Sequence, residues 1–347
     1  MHRCLELARI GAGSVAPNPM VGAVLVYENR IIGEGYHRQY GGPHAEVNCI
    51  DSVKGEDLSL IPLATLYVSL EPCTHFGKTP PCSDLIIRNK IPKVVVGCRD
   101  PFPEVDGKGI EKLRRAGVQV IYGVLEQDCL DLNRRFFTFV TARRPYIILK
   151  WAQTADGFIA GDGKDRLLIS NDYTNRLVHQ WRSEEAAILV GTDTALQDDP
   201  SLNNRLWTGN SPVRMVIDRN LRLPASLQLF DQQQKTIVIN TVKAEEKKNL
   251  SYHKIPAAAD TVEAVLSIAF QENLQSILVE GGAGLLQSFI DKGLWDEARI
   301  ITNPLLTITK GLLSPALKEY LPTKTEKIGT DTLSIYTSIQ HPASSNN

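Results

Sequence analysis

Apolar and polar positions alternate along this chain in short blocks whose period switches repeatedly between that of a strand and that of a helix. The runs VGAVLVYE and RIIGEGYH read as strands that meet at Glu28-Asn29-Arg30, a joint tight enough for an antiparallel hairpin. A helix over about residues 2–12 precedes them. A helix starting near His44 follows, then the strand ATLYVSL, a helix near 82–90, the strand KVVVGC, a helix near 107–116 and the strand VQVIY. Short apolar strands separated by helices predict a largely parallel sheet covered on both faces, a three-layer α/β/α unit.

The stretch 124–142 reads as one helix, and Thr141-Ala142-Arg143-Arg144-Pro145 after it marks a boundary, because the residue before a proline avoids the helical region. A second α/β unit opens with PYIILKWAQT and the turn signal Asp156-Gly157. It continues through a helix near 171–183, the strands AAILVG, VRMVID and KTIVIN, a helix near 261–270, the strand SILVE and a helix near 284–292. Strands near 297–302 and 333–339 close it. The expected domains are 1–142 and 145–342.

Composition narrows the class without naming it. The 347 residues are 43% apolar and 22% charged with a net charge of −1, ordinary for a chain with a sizeable core and no electrostatic call on nucleic acid or anionic membrane. No run approaches the roughly 18 apolar residues that span a bilayer. The opening MHRCLELARIGAG lacks the apolar core of a signal peptide, so the cytoplasm is the expected compartment. All six cysteines fall within the first 129 residues. Without a secretion signal they are expected as reduced thiols or metal ligands rather than disulfides.

Two of those cysteines stand in a chemical pattern. Pro43-His44-Ala45-Glu46 lies at a strand-to-helix transition, and Glu71-Pro72-Cys73 is followed after eight residues by Cys82. One imidazole and two thiolates make a three-ligand zinc set whose fourth position is left for a water of lowered pKa. Glu46, two residues from His44, is near enough to carry a proton, a role that requires it not to be a ligand. Cys82 heads a helix, where the thiolate is favoured. The Cys73–Cys82 spacing is unlike a redox CxxC pair, and a purely structural zinc usually takes four protein ligands. A zinc-stabilised binding module without catalysis remains the open alternative.

In the second half, SILVE-GGAG-LLQSFI places glycines between a strand and a helix, where backbone amides can meet a phosphate. A plain strand–turn–helix junction explains the same residues. It is not GxGxxG, and no acidic residue follows about 20 positions on, as a Rossmann site needs.

HAE followed by Pro-Cys and a second Cys resembles the cytidine deaminase-like superfamily, whose usual pattern is H-x-E…P-C-x-x-C. Here the second cysteine comes nine positions later. That longer loop, EPCTHFGKTPPC, with APNPMVGAVLV and CRDP, resembles the bifunctional deaminase/reductase family of riboflavin biosynthesis. ILKWAQTADG, VGTDTALQDDPSLNNR and VEGGAGLLQSF are similar to landmarks of its reductase half, so the resemblance runs to about residue 340.

The resemblance implies a cytidine deaminase-like domain followed by a dihydrofolate-reductase-like α/β domain, with one Zn2+ and NADPH as cofactors. It implies deamination of 2,5-diamino-6-ribosylamino-4(3H)-pyrimidinone 5′-phosphate and then reduction of its ribosyl group to ribityl. Asn18, His37, His75, Lys78 and Asp100 become substrate contacts of the deaminase, and Arg182, Leu202, Arg205 and Glu280 those of the reductase. Ala152, Thr194, Asp198 and the stretch Gly282, Ala283, Gly284, Leu285, Leu286, Gln287 and Ser288 become cofactor contacts. Arg182 and Arg205 would suit a phosphate clamp. Lys150 and Asp156 have adequate structural explanations as a strand-end lysine and a turn aspartate. Leu168 stands where the family usually has tryptophan, and Arg166 and Arg219 where small polar residues are common. Arg219 would suit the 2′-phosphate of NADPH or be a surface charge. The expected partner is a phosphorylated pyrimidine rather than nucleic acid or membrane, with homo-oligomerisation left open. A zinc deaminase of another base, joined to a non-redox ligand-binding domain, is the competing reading.

Overall fold

The chain divides into two units, Met1–Arg143 and Arg144–Asn347, of which a computed structural model describes residues 1–74, 80–102, 105–163, 167–318 and 320–338. In the first unit α1 (His2–Arg9) packs Cys4 and Leu7 on Val24 of β1 (Gly22–Tyr27). β1 and β2 (Arg30–Tyr36) form the antiparallel hairpin, and both joint residues, Glu28 and Asn29, have positive φ, as a type I′ turn requires. Next come α2 (Ala45–Asp51), a 3-10 stretch (Gly55–Leu63), β3 (Thr65–Leu70), α3 (Cys82–Arg88) and β4 (Lys93–Cys98). α4 (Lys108–Arg115), β5 (Gln119–Tyr122), α5 (Glu126–Leu132) and α6 (Arg134–Ala142) complete the unit.

The strand order is β2-β1-β3-β4-β5. β3, β4 and β5 run parallel, but β1 is antiparallel to both its neighbours. The expectation of a largely parallel sheet is corrected accordingly. The α2 crossover carries the chain from β2 past β1, leaving β1 reversed between two strands of like direction. Leu25, Leu66, Val68, Val94 and Val96 form the core with Ile86 of α3 and Leu113 of α4.

The single helix expected over 124–142 is also corrected, to two helices broken at Asn133. This residue has φ −104 and ψ 17, and it is 2% exposed. Its carboxamide pairs with the backbone of Met20, accepting from the N–H and donating to the C=O at 2.8 Å each. Two long-range bonds to the Met20 backbone outweigh the one helical turn they interrupt.

The second unit begins with β6 (Tyr146–Thr154), β7 (Phe158–Gly161), α7 (Asp172–Glu184), β8 (Ala187–Gly191), α8 (Thr192–Asp198), β9 (Val213–Ile217) and β10 (Thr236–Asn240). It continues with β11 (Glu245–Lys247), β12 (Leu250–Lys254), α9 (Thr261–Gln271), β13 (Ser276–Val279), α10 (Ala283–Asp291) and β14 (Glu297–Asn303). β15 (Gly311–Leu313), β16 (Lys324–Ile328) and β17 (Asp331–Thr337) end it. Ten strands make one sheet, β11-β12-β10-β9-β8-β13-β6-β14-β17-β16, while β15 pairs with β7. The sheet is parallel from β12 to β14 and antiparallel at its edges. Its central strands are apolar on both faces, as burial under helices demands. Asn171 caps α7 by accepting the Thr174 N–H. Among the described residues, no helix is long and apolar enough to cross a membrane.

Candidate active sites

His44 sits at the N-cap of α2, Cys82 opens α3, and Cys73 follows the end of β3, so two helix starts and one strand end converge. Gly35 makes this approach close enough. A Cβ there would stand 2.2 Å from the Cys49 nitrogen and 2.7 Å from the Ala45 oxygen, so only glycine lets the backbone of α2 lie on β2. His44 Nδ1 is 3.6 Å from Cys73 Sγ and 3.4 Å from Cys82 Sγ. A tetrahedral zinc with ordinary Zn–N and Zn–S bonds would separate such atoms by about 3.6 Å. The donor set therefore fits zinc in chemistry and in span. Among the described residues it is the one group of three or more His, Cys, Asp or Glu able to hold a metal ion.

The two thiols hold their protons unequally. Hydrogen bonds from the Cys82 thiol, and then from His44, hold the Cys73 thiol down to about 4, and the Cys82 N–H also donates to Cys73 Sγ at 3.3 Å. Cys82 moves the opposite way, because it is the donor in that pair and a second thiolate beside the first is repelled. Glu46, on the first turn of α2, is 3% exposed and lies beside Cys82 without joining the ligand set. Burial pushes its carboxyl up, which suits a group that must hold and release a proton.

Around this centre His37 lies edge-on to His44, with ring centroids 5.5 Å apart, and touches Asn18 through Nε2 at 3.1 Å. Its Nδ1 is 2.9 Å from the Pro43 carbonyl, and burial pushes its pKa down. Asp100, 7% exposed, is pushed up to about 7 by burial and then by Glu71 and Cys73. His75 and Lys78 lie outside the described residues.

In the second unit the C-terminal ends of the parallel strands gather the expected residues, the edge where ligands of open α/β sheets bind. Glu280 follows β13 and meets Arg182 of α7 through two bonds of 2.7 Å, Nε to Oε1 and Nη2 to Oε2. Lys150 of β6 stands 3.8 Å from the same carboxylate. Burial alone would raise Glu280, but Arg182 and Lys150 hold it down to about 2. His179, one turn before Arg182, takes the Arg205 N–H on Nδ1 at 3.1 Å; burial and then the two arginines push it down to about 4. Beside them Gly281 lies against Thr194, where a Cβ would meet Thr194 Cγ2 at 2.7 Å. Space opposite Gly284 is open, so the first turn of α10 can be approached closely there.

Both units match known protein families. Residues 1–98 match the model of the cytidine and deoxycytidylate deaminase zinc-binding region, and residues 145–314 match that of the RibD C-terminal domain. The riboflavin biosynthesis protein RibD of Aquifex aeolicus is 40% identical over 313 residues, covering 88% of this chain and 86% of that protein. The Escherichia coli RibD is 33% identical over 329 residues, covering 88% and 87%. This chain belongs to the RibD family. A solved deaminase/reductase from Thermotoga maritima shares 38% identity with a TM-score of 0.89 over 97% of both chains. The RibD of Acinetobacter baumannii shares 30% with a TM-score of 0.87 over 98% of both. Like the family, this chain is a bifunctional deaminase and reductase of riboflavin biosynthesis.

Several residues given ligand roles by resemblance also have partners within the protein. Arg182 spends its Nε and Nη2 on Glu280, and its Nη1 donates to the Asn203 carbonyl at 3.2 Å. Leu202 is 2% exposed and packs in the core with Ile188 and Val216, which leaves its side chain no substrate to touch. Leu286 is likewise a core residue, beside Phe289. Gln287 donates its amide N–H to Asp291 and accepts the Ala316 N–H, and Ser288 donates back to the Gly284 carbonyl. Gly282 caps α10 at the strand end, and Ala283, Gly284 and Leu285 stand in its first turn. His37 has both ring nitrogens engaged within the protein.

Ala152 lies half-buried on β6, Asp198 is the exposed last residue of α8, and Arg205 is exposed with Nη1 on Asn203 Oδ1. Arg219 donates to the Ala257 and Ala259 carbonyls and to Thr261 Oγ1, so it clamps a turn. Leu168 is 79% exposed, and Arg166 lies outside the described residues.

Glu71 was not singled out by its sequence position, although EPC contains it. Its carboxylate accepts from the backbone N–H groups of Asp100, Gly107, Gly109 and Ile110 at 2.9–3.3 Å, tying the Asp100 loop to the strand end that precedes Cys73. A negative charge met only by amides from a segment 29 to 39 residues away leaves no local pattern to read.

Proposed function

We propose that the first unit hydrolyses the exocyclic 2-amino group of 2,5-diamino-6-ribosylamino-4(3H)-pyrimidinone 5′-phosphate, and that the second reduces the ribosyl group of the product to ribityl. The Thermotoga maritima relative is described as a diaminohydroxyphosphoribosylaminopyrimidine deaminase and 5-amino-6-(5-phosphoribosylamino)uracil reductase, which supports this choice of substrate. One observation carries the deaminase half: three donors at zinc spacing with a buried carboxyl beside them that is not a fourth. His44, Cys73 and Cys82 would hold the metal, which when bound supplies a Lewis acid that makes water acidic near neutral pH. Glu46 takes the proton from the attacking water at its carboxyl and returns it to the departing amine. Asn18 meets the pyrimidine edge and Asp100 the substrate beside Cys73, while His75 and Lys78 are assigned to substrate by resemblance alone.

For the second unit the cofactor is NADPH, which supplies the hydride. Thr194 and the turn Gly282–Leu285 would hold it, with the open space at Gly284 facing its phosphates. Glu280, oriented by Arg182 and kept ionised by that pair and Lys150, accepts hydroxyl groups of the sugar, and exposed Arg205 offers its charge to the phosphate. A reducing compartment such as the cytoplasm suits six cysteines that are all free. Purified protein given the diaminopyrimidine phosphate should release ammonia and then oxidise NADPH. Ammonia without NADPH oxidation would remove the reductase half of the reading and leave a ligand-binding second domain.

A further inference from the structure

We infer that His37 is a positioning residue of the deaminase, whose imidazole fixes which atoms Asn18 presents to the pyrimidine. The inference deepens the proposed role of Asn18 and rests on it. Its physical basis is a chain of hydrogen bonds in which each partner dictates the next. The Pro43 carbonyl has lone pairs only, so the His37 nitrogen 2.9 Å away, Nδ1, must carry the hydrogen. Asn48 of α2 donates its amide to the same carbonyl at 3.2 Å and to the Tyr36 carbonyl at 2.8 Å, which pins Pro43 from the other side.

His37 is 3% exposed, and a buried imidazole with one nitrogen protonated has a bare second nitrogen. Nε2 is therefore an acceptor, and the Asn18 atom 3.1 Å from it must be the amide nitrogen. Turning the Asn18 carboxamide over would set oxygen lone pairs against a nitrogen lone pair. Asn18 is thus left with its oxygen as an acceptor and one remaining N–H as a donor, the pairing that a pyrimidine edge with one donor and one acceptor requires. The residue that starts the chain, Pro43, immediately precedes the zinc-site residue His44. The Asn18 loop is held independently, since Asn133 grips Met20 by two bonds.

The test is a double-mutant cycle on the full-length zinc-loaded enzyme, measuring ammonia release from the diaminopyrimidine phosphate. Asn18→Ala and His37→Leu should each raise KM about tenfold, the effect of one neutral hydrogen bond lost or misdirected, with kcat changed less than KM. The double variant should be no worse than either single one, because His37 acts through Asn18. His37→Gln, whose amide oxygen can accept the Asn18 N–H, should recover part of the loss. Zinc content and NADPH oxidation by the same samples report folding, and if His37→Leu unfolds, His37→Gln takes its place in the cycle, where the double variant should again be no worse than Asn18→Ala alone. Additive penalties, about a hundredfold in the double variant, overturn the inference while leaving Asn18 as a contact. An unchanged KM in Asn18→Ala overturns the contact itself and the inference with it.

Discussion

Glu280→Gln removes the charge around which the second unit's polar cluster is organised. The native carboxylate is held at about 2 against an ordinary value of 4.5, despite burial, by Arg182 and Lys150. That depression corresponds to about 3 kcal/mol of stability at neutral pH. The amide keeps the shape but leaves the Arg182 guanidinium, only 13% exposed, without its counter-ion. Breaking one side of a buried pair costs about 3–5 kcal/mol. The two routes agree on a loss of about 3 kcal/mol.

The pH dependence has a definite sign. Because the folded pKa is depressed, the contribution is fully present above the unfolded value near 4.5 and disappears as the pH falls through the folded value near 2. The stability gap between wild type and variant should therefore be flat from about pH 6 to 8 and narrow below about 4.5. All four tryptophans, Trp151, Trp181, Trp207 and Trp295, lie in the second unit, so their fluorescence during urea unfolding follows that unit alone. A loss under about 1 kcal/mol at pH 7, or a gap that persists unchanged into acid, would refute the ion-pair reasoning.

Three further outcomes follow from the same geometry. Arg219→Ala should destabilise the turn at 257–261 by about 1–2 kcal/mol and leave the preference between NADPH and NADH unaltered, since its donors are taken by Ala257, Ala259 and Thr261; collapse of that preference in steady-state assays would return Arg219 to the cofactor. Gly281→Ala puts a methyl 2.7 Å from Thr194 Cγ2 and should raise the KM for NADPH about tenfold while zinc content stays constant, a split that an unchanged KM would contradict. Cys82→Ser replaces a thiolate ligand by a hydroxyl, so metal analysis should find the zinc lost and ammonia release abolished, yet deaminated substrate should still support NADPH oxidation. Full zinc occupancy in that variant would remove Cys82 from the ligand set.

What could be read in advance was whatever the chain states locally. The HAE and PC…PPC spacing announces three zinc donors and a separate carboxyl because each sits at the start of a helix or the end of a strand marked by its own apolar run. Relations between distant segments were not legible. Nothing in the pattern around Asn133 says that its side chain will pair with Met20 and break a helix, and nothing near Glu280 says that Arg182, 98 residues earlier, will occupy it. α8 escaped notice because seven residues directly after a strand show too little helical period, and β11 and β16 because edge strands are short and charged. Resemblance named residues by position and so included Leu202 and Leu286, whose side chains the core takes.

The central claim is that His44, Cys73 and Cys82 hold the metal and Glu46 carries the proton. Glu46→Gln tests it most directly, with zinc content and ammonia release measured on one sample. The amide fills the same buried space but cannot exchange a proton, so the variant should keep one zinc per chain and lose about 10³-fold or more in deamination rate. Normal ammonia release, or loss of zinc together with activity, would contradict the account.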